Sequence, residues 1–168
     1  MEDLREEPTR RLDERPMLDA WLDYHRATLL VKCEGLTPEQ LRARSVPPST
    51  LSLLGLVRHM AEVERNWFRR VMAGEDAPPR FYDPETNPDG DFDDVDAADV
   101  EENFAYFASE CAAARAISAS ITSLDAVGQH RGGPTSMRWV LVHMIEEYAR
   151  HNGHADLLRE AIDGTTGE

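Results

Sequence analysis

Leu53, Leu56, Met60, Val63, Trp67 and Val71 recur at intervals of three and four. That spacing keeps one side of an α-helix apolar over several turns, and it does not suit a strand, whose faces alternate every second residue. Ser49 or Thr50 is placed to cap this helix and Gly74 to end it. A helix of this length with one apolar face needs partners, and the rest of the chain supplies the same signal. Pro16 opens a stretch with Leu18, Trp21, Leu22, Leu29 and Cys33 near one side, closed by Gly35. Thr37 and Gln40 form a capping-box pattern that predicts a short helix. A third long helix is predicted through "VEENFAYFASECAAARAISASITSL", with Phe104, Phe107, Cys111, Ala114, Ile117 or Ser118, and Ile121 inward. A fourth runs from about Ser136 to Asp163, followed by Gly164.

Between the second and third long helices, residues 75–99 are rich in Asp, Pro and Gly and read as a long loop. The aspartates Asp91, Asp93, Asp94 and Asp96 read as a solvated charge run rather than a cation site. "GQHRGGPT" reads as a chain break, and no segment reads as a strand. The expected fold class is therefore all-α, a four-helix bundle whose loop between helices two and three is long enough to cross it. Residues 1–15 are mixed in charge and read as a loose arm, leaving 16–164 for one domain. A length of 168 residues, 41% of them hydrophobic, is adequate for that core.

Charge limits the partners. A net charge of −14 argues against nucleic acid and anionic lipid, both of which attract basic surfaces. There is no apolar run long enough for a membrane span, and the charged N-terminus lacks the apolar segment of a secretory leader. A cytoplasmic location is the expectation, with Cys33 and Cys111 reduced and buried.

The last helix carries an unusual stripe. Residues four apart differ by about 40° around a helix, so His143, Glu147, His151 and His154 fall within an arc of about 80°. On the second long helix His59 flanks the apolar face, while Arg58 and Arg65 are expected to point elsewhere. If these two helices face each other, His59, Glu147 and His151 bring two imidazoles and a carboxylate to one point, which describes an open metal site. The alternative is a solvated Glu–His pair on one helix and a core histidine bonded to a carbonyl on the other. His154 is a candidate catalytic residue, as a base behind the ligands or as an alternative ligand; His143 has a lining or packing role. No zincin, di-iron, phosphate-loop, dinucleotide or nucleophile-elbow motif is present.

"LDYHRATLLVKCEGLTPEQL", "LSLLGLVRHMAEVERNWF" and "MRWVLVHMIEEYARHNGHADLLREAIDG" together resemble the DinB/YfiT-like metal-binding bundles, a family whose branches include mycothiol-dependent maleylpyruvate isomerase. The resemblance covers residues 16–164. The family pattern is a histidine on the second helix, here His59 in "RHMAEVE", and a ligand-xxx-His pair on the fourth, here Glu147 and His151 in "EEYARHNGH". Many members have histidine where this chain has Glu147, and the isomerase type has glutamate. The resemblance implies a four-helix bundle with one long crossing connection. It implies a divalent metal, usually zinc, with nickel, iron or manganese as alternatives. Its chemistry is thiol-dependent transfer or isomerisation on a small-molecule substrate, in a homodimer. Metal-assisted hydrolysis and a non-catalytic, stress-response role for a metal-binding bundle are the rival expectations.

Overall fold

In the computed structural model, residue 5 and residues 7–167 are described. The arm expected over residues 1–15 falls partly outside them, at positions 1–4 and 6. The fold is mostly helical: α1 (Glu14–Cys33), α2 (Pro38–Arg42), α3 (Leu53–Glu64) continuing as a π-helical segment (Arg65–Met72), α4 (Gly90–Asp93), α5 (Val100–Ser120) and α6 (Met137–Asp163). A short hairpin, β1 (Val127–His130) and β2 (Gly133–Ser136), precedes α6. Among the described residues no helix is long and apolar enough to cross a membrane.

The expected stop signals act as glycine allows. Gly35, Gly74 and Gly164 follow their helices with φ of 75°, 68° and 78°, the left-handed region that a Cβ disfavours. Thr37 caps α2 in a complete capping box, its hydroxyl accepting from Gln40 N while the Gln40 side chain accepts from Thr37 N. Both cysteines are buried and unpaired with each other.

Four expectations are corrected. Ser49 and Thr50 do not cap the second long helix, which begins only at Leu53; the Ser49 hydroxyl instead accepts from Leu51 N, 3.3 Å away, in the preceding turn. The end of that helix is π-helical rather than α-helical, so Ala73 N donates to Phe68 O five residues back. "GQHRGGPT" is not a plain break but contributes to an antiparallel hairpin in which Val127 pairs with Ser136 and His130 with Gly133. Arg58 is not turned outward; it is buried.

The chain divides into two compact units, residues 1–53 with 141–168, and residues 54–140. In the first unit Leu22, Leu29, Cys33, Leu41, Tyr148, Ala155 and Leu158 are buried. Arg159 reaches the end of α1, donating to the carbonyls of Lys32 (3.1 Å) and Glu34 (2.8 Å), which a helix terminus leaves without partners of its own. Lys32 pairs with Asp156 at 2.7 Å, and the Asn152 amide donates to the His25 carbonyl at 3.1 Å.

In the second unit Met60, Phe68, Val71, Phe107, Cys111 and Ala114 are buried. Arg65 and Arg69, on the π-helical segment, both donate to the buried carboxylate of Glu110, at 3.0 and 2.8 Å. Two cationic partners make burial of that charge tolerable. The hairpin lies close against the π-helical segment at Gly128, where a Cβ would overlap the Val71 carbonyl.

Candidate metal centre

The stripe on α6 forms as its spacing requires. His143 Nε2 is 3.3 Å from Glu147 Oε1, and Glu147 Oε2 is 3.6 Å from His151 Nε2. His151 is buried, and its Nδ1 is 3.4 Å from His154 Nδ1. One of those two nitrogens must carry the shared proton and the other accept it. Burial first, and then His151 and Arg150, lower the pKa of His154. Glu146, one residue before Glu147, is exposed; it pairs with Arg150 and also stands 3.8 Å from His143 Nδ1.

His59 is set by a residue that sequence reading assigned to solvent. Its Nδ1 stands 2.8 Å from Oδ2 of Asp91, whose side chain is 6% exposed. An ionised carboxylate only accepts, so Nδ1 is the donor and the ring's lone pair is on Nε2. This carboxylate-to-histidine arrangement is the usual way a metal-binding imidazole is oriented and made more basic. Phe92 stacks on the same ring, with centroids 4.6 Å apart and planes 26° from parallel.

Asp91 reaches His59 because Arg58 fastens α4. The guanidinium donates to the carbonyls of Asp91 and Gly90, each at 2.9 Å, and to Asn103 Oδ1 at 3.1 Å. It also lies over the Phe81 ring at 4.2 Å. Glu62 secures the same stretch, one carboxylate oxygen accepting from the backbone of Arg80 (2.7 Å) and Phe81 (2.9 Å). Gly90 is needed for so close a fit, since a Cβ there would stand 2.6 Å from the Phe81 carbonyl oxygen. The expected solvated loop thus contains a buried aspartate, a correction for Asp91; Asp93, Asp94 and Asp96 are exposed as expected.

Among the described residues of α6, His143, Glu146 and Glu147 form a group whose ligand atoms lie close enough to share an ion, though the Arg150 partner of Glu146 weakens it. Two imidazoles and a carboxylate, the donors expected of His59, Glu147 and His151, suit zinc and the other divalent first-row metals. The two histidines without an assigned role also find places, His130 stacking on Trp67 with centroids 4.8 Å apart and His25 half-buried with its pKa lowered by that burial.

Residues 17–164 match the family model described as mycothiol-S-transferase. A solved structure titled as the conserved protein of locus from Enterococcus faecalis is similar in fold, with a TM-score of 0.66. The match covers 92% of this chain and 100% of that one at 17% identity. A comparison with curated proteins finds no match.

Proposed function

The chain belongs to the mycothiol-S-transferase family, and on that premise we propose that it transfers a low-molecular-weight thiol such as mycothiol, with a divalent metal on His59, Glu147 and His151. The observation that carries this reading is the buried Asp91 carboxylate on Nδ1 of His59, the partner that orients a metal-binding imidazole. Zinc is the first metal to test, with nickel, iron and manganese as the alternatives. The same reading takes the four long helices as a DinB-like bundle, residues 75–99 as its crossing connection, and a homodimer as the assembly.

A divalent cation held by these residues would supply Lewis acidity that makes a nearby thiol more acidic. The protein's own part is to aim the ligands. Asp91 holds the His59 proton at Nδ1 and so presents Nε2. In the same reading His154 accepts at Nδ1, so the His151 proton stays on Nδ1 and Nε2 faces Glu147. His154 is then a positioning residue rather than the base that takes the substrate proton.

The test is consumption of mycothiol thiol in the presence of an electrophilic thiol-alkylating dye. The metal-loaded protein is expected to accelerate the reaction, and prior chelation to abolish the acceleration. Stoichiometric metal with no acceleration would assign the chain to the non-catalytic alternative.

A further inference from the structure

Beside His59, within residues 54–140, lies a cavity of about 210 Å³. A space of about 150 Å³ accepts a benzene ring, so this one takes a ring with a short substituent. Trp67, Tyr82 and Phe92 give it aromatic walls. Its charged lining is one-sided: Glu62, Asp89 and Asp91 contribute carboxylates, and among the described residues no lysine or arginine lines it. Arg58 and Arg65 act on these carboxylates from outside the lining: the Arg58 guanidinium bonds to two carbonyls and an amide oxygen while its charge is felt by Asp91 and Glu62, and Arg65 acts on Glu62.

Two of these acids are fixed in place by their hydrogen bonds. Asp91 faces His59, and Glu62 accepts the backbone N–H groups of Arg80 and Phe81. Burial pushes the Glu62 carboxyl up, against the backbone N–H groups of Arg80 and Phe81 and the charge of Arg65, which act in the opposite sense. The same field reaches Tyr82, whose hydroxyl is pushed up by burial first and then by Glu62, with Arg70 and Arg131 acting in the opposite sense. Aromatic faces and carboxylates attract the same kind of ligand. A cation gains from the ring quadrupoles and from the negative field together, whereas an anion of equal shape gains from neither.

We propose that this cavity receives the electrophilic co-substrate of the reaction, and that the co-substrate carries a cationic amine or amidine on a small ring rather than a carboxylate. The assignment to a co-substrate rests on the transferase reading above; the selection for positive charge rests on the cavity alone.

Benzamidinium and benzoate share a planar shape and differ in the sign of their charge, which makes them suitable probes. Each is titrated calorimetrically into the full chain as purified and after chelation, with metal content measured alongside. Benzamidinium is expected to bind saturably at about millimolar concentration or below, and benzoate at least about tenfold more weakly in the chelated protein. Asp89→Asn, at an exposed position, is expected to weaken benzamidinium about fivefold, and Tyr82→Leu to weaken it by a similar factor. Benzoate binding as tightly as benzamidinium after chelation, or benzamidinium binding unchanged in both variants, overturns the proposal. A chain that holds no metal yet selects benzamidinium upholds the cavity and sinks the metal reading. A metal-bearing chain without that selection does the reverse.

Discussion

Glu147→Ala is expected to lower zinc affinity by on the order of a hundredfold or more, while Glu146→Ala leaves it unchanged. Structural zinc is bound with about 10–16 kcal/mol shared among four ligands, so removing one costs about 3 kcal/mol. The two glutamates are neighbours in sequence and about 100° apart around α6, and their surroundings already differ. Glu147 lies between His143 and His151, at 3.3 and 3.6 Å. Glu146 is exposed and pairs with Arg150, one turn on. Glu147→His should retain binding, because its Cβ keeps the same place on the helix and an imidazole is a competent ligand. Titrating a chromophoric chelator against the three variants measures all of this. Loss of metal by Glu146→Ala, with Glu147→Ala unaffected, would place the ligand on the other face of α6.

The second large effect is expected at Asp91. Asp91→Ala should weaken metal binding by about tenfold to a hundredfold, the usual cost of removing a carboxylate behind a ligating histidine. Asp91→Asn should cost less, since its amide oxygen can still accept from Nδ1 of His59 but without charge. The fold of the region should survive both changes, because Arg58 holds the backbone carbonyl of Asp91 and not its side chain. Metal affinity and thermal unfolding, measured on the same preparations, separate the two effects. Wild-type affinity in Asp91→Ala would show that the carboxylate does not serve His59 as a ligand.

What the sequence made legible follows from which signals are local. The long helices could be read because apolar residues three and four apart, and the glycines that end the helices, are short-range patterns. The Thr37–Gln40 capping box belongs to the same class. The hairpin was missed because four-residue strands such as "VGQH" and "GPTS" are too short to establish an alternation. The π-helical segment was missed because its buried residues, Trp67 and Val71 among them, still fit α-helical spacing.

Asp91 was missed for a different reason. It lies 32 residues from His59, in a run of aspartates that composition assigns to solvent. Asp91 is held there by Arg58, which was itself read as pointing away from the face that carries His59. A buried arginine that spends its donors on carbonyls leaves no trace in spacing, so both ends of that contact were invisible until α4 was placed. On α6, by contrast, the contacts named above among His143, Glu147, His151 and His154 are between residues three or four apart, and spacing made them legible.

The account turns on a metal held by His59, Glu147 and His151, and elemental analysis of the untagged protein, purified without added metal, tests it most directly. Wild-type protein is expected to carry one divalent ion per chain. His59→Ala and His151→Ala are each expected to lose it while circular dichroism reports an unchanged helical signal. Full metal occupancy in both variants would contradict the account.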